Sequence, residues 1–88
     1  MRWKIELRPT AEKHYEKLDK KTLKKVKKAL RELEKSKDPA SLTNVSALTV
    51  TLYGDYGLEV GDWRLLFTPD EMTKKIHVYG IYPRDELQ

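Results

Sequence analysis

The hydrophobic period of this chain changes twice within 88 residues, from two to helical and back to two, and few folds satisfy that order in so short a length. Trp3, Ile5 and Leu7 alternate with Arg2, Lys4, Glu6 and Arg8, the pattern of a strand with one buried face. Pro9 ends that run. Thr10 is placed to cap a helix with Glu12 in its first turn and Ala11, Tyr15 and Leu18 on one side. Asp19 is placed to cap a second helix, in which Leu23, Val26, Leu30 and Leu33 form an apolar stripe until Asp38-Pro39 stops it. Two amphipathic helices joined by almost nothing imply a helical hairpin.

Period two then returns. Leu48, Val50 and Leu52 alternate with threonines and read either as a strand or as an extended loop. Tyr53-Gly54-Asp55-Tyr56-Gly57 is a turn by composition, Leu58 to Val60 a short strand, and Gly61-Asp62 a tight turn into a strand from Trp63 to Thr68. After a loop at Pro69-Asp70-Glu71-Met72-Thr73, Lys75 to Tyr82 forms the last strand, which Pro83 ends. The expected fold class is α+β, in the order β-α-α-β-β with room for one further strand. Its sheet is mostly antiparallel, with the helical hairpin on one face.

At 39% hydrophobic residues the chain supports one modest core, burying about 60 to 65% of the unfolded surface, and residues 1–88 read as one domain. There is no cysteine, and the two histidines, His14 and His77, are too far apart in sequence to form a recognisable zinc pattern. Neither a metal nor another cofactor is expected. With no apolar run of signal-peptide or membrane-spanning length, the expectation is a soluble cytoplasmic protein away from the membrane.

Charge is unevenly distributed. Residues 1–37 carry fourteen Lys and Arg against six Asp and Glu, a net of +8, while residues 38–88 carry four against eight, a net of −4. A basic half suits a nucleic acid, the ribosome surface or an acidic protein partner, although lysine-rich helices are also ordinary solvated faces. Against that background Arg64 and Arg84 are the only arginines in the acidic half, beside Lys74 and Lys75.

Strand parity sorts the side chains further. Trp63, Leu65, Phe67, Ile76 and Val78, with Trp3 and Ile5, form the face the helices cover. Continued along the last strand, the same alternation puts Gly80 with Val78, and Ile81 with His77 and Tyr79. Arg64, Tyr79 and His77 fall on the other face, where arginine and aromatic rings suit phosphate and bases. The ordinary alternatives are an Arg64 ion pair with Glu59 or Glu86, Tyr79 as sheet filling, and His14 as partly buried packing.

Leu52-Tyr53-Gly54, the run Gly57-Leu58-Glu59-Val60-Gly61-Asp62-Trp63-Arg64-Leu65-Leu66-Phe67, and the ending Ile81-Tyr82-Pro83-Arg84-Asp85-Glu86-Leu87 together resemble the RelE/ParE superfamily of bacterial and archaeal toxins, over nearly the whole chain. The RelE branch consists of metal-independent endoribonucleases that cut messenger RNA, usually in the ribosomal A site, and are neutralised by a cognate antitoxin. The ParE branch poisons DNA gyrase. The resemblance implies attack of a 2′-hydroxyl on the adjacent phosphorus to leave a 2′,3′-cyclic phosphate. Arg64 matches the strand arginine that contacts the scissile phosphate, and Arg84 the arginine that stabilises the transition state. Tyr82 and Tyr53 are the first candidates for proton transfer, with Tyr56 and His77 as the others. Lys4, Tyr56, Tyr79 and His77 join the two arginines as expected RNA contacts, and Tyr15, Leu30 and Leu33 are expected at the edges of an antitoxin groove.

Several positions depart from the family pattern. Tyr53 stands where toxic members often carry lysine, Glu59 where they carry arginine, and the tail Asp85-Glu86-Leu87-Gln88 lacks the usual basic residue and final tyrosine. Three acids near a phosphate site repel the substrate. The alternatives to an active ribonuclease are therefore an inactive homologue that only binds antitoxin, a gyrase inhibitor, or a basic domain that docks on ribosomal RNA through its helix lysines.

Overall fold

The computed structural model describes residues 3–48 and 55–84. Strand β1 (Lys4–Leu7) leads into helix α1 (Pro9–Glu16) and helix α2 (Lys20–Lys35), and a 3-10 turn (Pro39–Ser41) precedes β2 (Val45–Ala47), β3 (Tyr56–Val60), β4 (Trp63–Asp70) and β5 (Lys75–Pro83). The strands form one sheet of five in the order β1-β5-β4-β3-β2. Expectation and structure agree on α+β, the helical hairpin and the antiparallel β3-β4-β5 meander. They differ in strand number and in β1, which pairs parallel to β5 and makes the sheet mixed.

Local chemistry explains the helix boundaries. Pro9 does not merely end the strand. It is the first residue of α1, where its fixed φ suits the helix and its missing N–H costs nothing, so Arg8 rather than Thr10 occupies the cap position. Asp19 caps α2 as expected, accepting the Thr22 N–H at 3.0 Å. The Thr22 hydrogen bonds hold the Asp19 carboxyl below the usual carboxylate range. No described helix is long and apolar enough to cross a membrane.

The hairpin covers one sheet face. Val26, Ala29 and Leu33 of α2 and Ala11 of α1 meet Leu58, Val60, Leu65, Phe67, Ile76, Val78 and Ile81 in the core. Trp3 joins them, and its N–H donates to the Glu34 carbonyl at 2.9 Å, tying the start of β1 to the end of α2. The central position of Leu33 contradicts its expected place at the edge of a partner groove, because its side chain is fully buried. Tyr15 and Leu30 are only partly buried against the core.

A bulge in β5 sets the geometry of the other face. Phe67 pairs with Val78 and Leu66 with Gly80, so Tyr79 is the extra residue of β5. Beyond it the alternation inverts, sending Ile81 into the core and Gly80 and Tyr82 to the side that carries Arg64, opposite to the parity expected from the sequence. Gly61 has φ of +60° in the two-residue turn between β3 and β4, a position where a side chain would be strained. The alternating segment at Leu48, Val50 and Leu52 is not the observed β2, which lies earlier, and residues 49–54 fall outside the described residues.

Candidate functional site

Three strands place a row of side chains on the face that no described helix covers. Glu59 of β3 pairs with Arg64 of β4, and Arg64 pairs with Tyr82 of β5. The adjacent row is Gly57, Leu66 and Gly80. The two glycines give the larger side chains a floor. A Cβ on Gly57 would stand 3.0 Å from Cδ and 3.2 Å from Cγ of Arg64, and a Cβ on Gly80 would collide with the Tyr82 ring, 2.9 Å from its Oη. Arg64 and Tyr82 thus fold onto bare backbone, while Leu66 between the glycines is buried outside the main core cluster. By composition and alternation alone Gly57 reads as a turn residue and Gly80 as part of the covered face. Their placement two residues from Glu59 and Tyr82, on the same strand face, is the signal that identifies them.

Arg64 is not alone on this face. Its Nη2 lies 3.5 Å from Glu59 Oε1, with about a quarter of the Arg64 side chain and nearly half of the Glu59 side chain exposed. A pair this open contributes about 0.2 to 1 kcal/mol, so an incoming phosphate can compete for the guanidinium. Arg84 lies at the same end of the sheet, just after Pro83, which pairs with Trp63. Its N–H donates to the Asp62 carbonyl at 2.9 Å, and its exposed side chain borders a shallow cleft of about 560 Å³ with Asp62, Trp63 and Pro83.

Other expected site residues lie elsewhere. His77 shares the uncovered face but sits five positions before Tyr82 on β5, between two carboxylates: Nδ1 is 3.4 Å from Glu6 Oε1 and Nε2 is 3.9 Å from Asp70 Oδ2. The Glu6 contact is not a hydrogen bond, and Nδ1 is buried without a partner. Tyr56 is on the helix side, 5.8 Å from Phe67 between ring centres, so it is separated from Arg64 by the sheet. Tyr79, at the bulge, lies beneath the Arg8 guanidinium at 5.7 Å. Lys4 is exposed beside Lys75 at the opposite end of β5 from Tyr82. Tyr53 and the acidic tail from Asp85 onward lie outside the described residues.

His14, read from the sequence as packing, is next to the site. Its Nδ1 accepts the Ile81 N–H at 3.1 Å, and its ring meets the Tyr82 ring edge to face at 4.8 Å between centres. Lys20, Lys21, Lys24, Lys25, Lys27 and Lys28 of α2 are all exposed, and Lys25 and Lys28 line a cleft with Glu59 and Gly61 at the turn between β3 and β4.

No protein-family model matches this sequence, and no curated protein is significantly similar to it. Solved structures do match. The archaeal RelE of a RelE-RelB complex from Pyrococcus horikoshii is 22% identical with a TM-score of 0.76, covering 96% of this chain and 97% of that one. Free-state RelE from E. coli, carrying two arginine-to-alanine replacements, is 19% identical with a TM-score of 0.77, covering 98% and 87%. YoeB of Staphylococcus aureus, solved as a dimer, is 24% identical with a TM-score of 0.73, covering 93% and 97%. The chain has the fold of the RelE-like toxins.

Proposed function

We propose that this chain is a RelE-like toxin, an endoribonuclease that cuts messenger RNA in the cytoplasm, most readily on the ribosome, and is held inactive by a cognate antitoxin. The observation that carries this reading is the Arg64–Tyr82 pair on the sheet face opposite the helices, with Arg84 at the same end. In this chemistry the 2′-hydroxyl loses its proton and attacks phosphorus, the phosphorane gains negative charge, and the 5′-oxygen leaves with a proton. Arg64 holds the scissile phosphate, Arg84 stabilises the added charge, and Tyr82 serves the proton transfer. Arginine supplies fixed positive charge, so these steps need no metal.

An antitoxin partner is supported by the fold, which the archaeal relative shows in a RelE-RelB complex. The exposed lysines of α2 suit an acidic antitoxin segment or ribosomal RNA. A second reading, an inactive antitoxin-binding homologue, is favoured by the Glu59–Arg64 contact and by the acidic tail. Inducing the chain without antitoxin and mapping RNA 5′ ends separates the two. Growth arrest with A-site cuts that fall about a hundredfold to a thousandfold in Arg64→Ala or Arg84→Ala supports the ribonuclease. No arrest and no cuts from the native chain, with tight antitoxin binding retained, supports the inactive homologue.

A further inference from the structure

Strand β1 pairs with β5 only as far as Val78, where the Arg8 N–H closes the ladder on the Val78 carbonyl. The remaining edge of β5 has no described strand beside it. Its backbone donors there need another partner, and the Ile81 N–H finds the His14 side chain of α1. Because Nδ1 accepts, the proton of the neutral imidazole sits on Nε2, which fixes the tautomer and the ring plane. That ring then presents itself edge to face to Tyr82, at an interplanar angle of 72°.

We infer that His14 is a positioning residue that holds the Tyr82 phenol over Gly80 and beside Arg64. Two constraints converge on the tyrosine: the Gly80 backbone lies under its ring, and His14 stands at the ring's edge. Without the imidazole one of these two constraints is gone, and a half-buried tyrosine on the part of β5 beyond its pairing with β1 regains rotamer freedom. Anchoring Ile81 also fixes the backbone one residue before Tyr82. In this proposal His14 acts through Tyr82, so the inference rests on the reading of Tyr82 as the proton-transfer group.

The test measures cleavage of a short mRNA on programmed ribosomes by native protein, His14→Ala, His14→Asn, Tyr82→Phe and the double variant His14→Ala/Tyr82→Phe. His14→Ala should lower the maximal rate by about a hundredfold with KM unchanged, since the arginines that bind phosphate are untouched. His14→Asn, whose amide oxygen replaces Nδ1 as acceptor for Ile81, should recover part of that loss and serves as the folded comparison if the alanine variant unfolds. Adding His14→Ala to Tyr82→Phe should cost nothing more. Equal losses in both backgrounds, or a His14→Ala rate at the native level, would overturn the inference. NMR provides an arm that does not depend on cleavage: the Tyr82 ring to Gly80 Hα contact should weaken in folded His14 variants. If native protein does not cut RNA, the ribonuclease reading falls, and this contact alone decides whether His14 positions Tyr82. Its persistence at native strength without His14 would end the proposal.

Discussion

Gly80→Ala probes the site without altering any side chain assigned to the chemistry. Gly80 has no positive φ, since Gly61 and Lys74 are the only described residues that do, so its backbone accepts alanine. By itself the substitution should add about 0.4 to 1 kcal/mol of stability by restricting the unfolded chain. The new Cβ would, however, collide with Tyr82 Cε2 and stand 2.9 Å from both Cζ and Oη. These atoms are the far end of a side chain that turns about χ1, so the ring moves and the strand stays. Losing the edge contact with His14 costs about 0.5 to 1.5 kcal/mol, which nearly offsets the gain. Net stability should change by less than about 1 kcal/mol, or no more than about 8 °C in Tm for a domain of this size. Cleavage should respond differently. A proton-transfer group must stand about 2.6 to 3.2 Å from its partner, and a displacement of about 1 Å costs about a hundredfold in rate. Thermal melting and ribosome-dependent cleavage, measured on the same preparation, check both halves. A variant that melts like the native chain and cuts at the native rate would refute a role for the Tyr82 position. A collapse in Tm would refute the premise that the ring yields before the strand.

Leu33→Ala should lose about 2 to 5 kcal/mol in chemical denaturation, because the side chain is fully buried; near-native stability with weakened partner binding would return Leu33 to the surface role first expected of it. Glu59→Gln should change stability by less than about 1 kcal/mol yet tighten binding of a non-cleavable RNA, most clearly at low salt, and equal affinity would show that the Glu59 charge does not reach the site. Hydrogen bonding to Thr22 depresses the folded-state pKa of Asp19, so the stability it contributes is present above the unfolded carboxylate pKa and is lost as pH falls through the folded value. Asp19→Asn keeps the cap and removes the titration, so its acid melting curve should be flatter than that of the native chain below about pH 4, and superimposable curves would count against the assignment.

The limits of legibility lie in particular residues. The two helices and the β3-β4-β5 meander follow from local signals: the Asp19 cap, the spacing of Val26 and Leu33, the Gly61-Asp62 turn, and the alternation through Trp63, Leu65 and Phe67. The pairing of β1 with β5 does not, because choosing a strand partner some seventy residues away is a property of the whole packed sheet. The site depended on a still finer feature. One extra residue at Tyr79 inverts every side chain after it, and Gly80 beside it is the one local sign of an insertion that alternation alone does not place. Strict alternation would carry Tyr82 into the helix side and leave Arg64 facing Ile81. The bulge instead brings Tyr82 opposite Arg64 and puts Gly80 beneath the ring. The same inversion accounts for His14. Past the end of β1 the Ile81 N–H has no strand partner and needs an acceptor, α1 packs on this part of β5, and a histidine the sequence offered only as packing becomes the group that meets it. The bulge and the short first strand are therefore two parts of one device: the first turns the tyrosine toward the arginine, and the second leaves open the edge from which His14 holds it there.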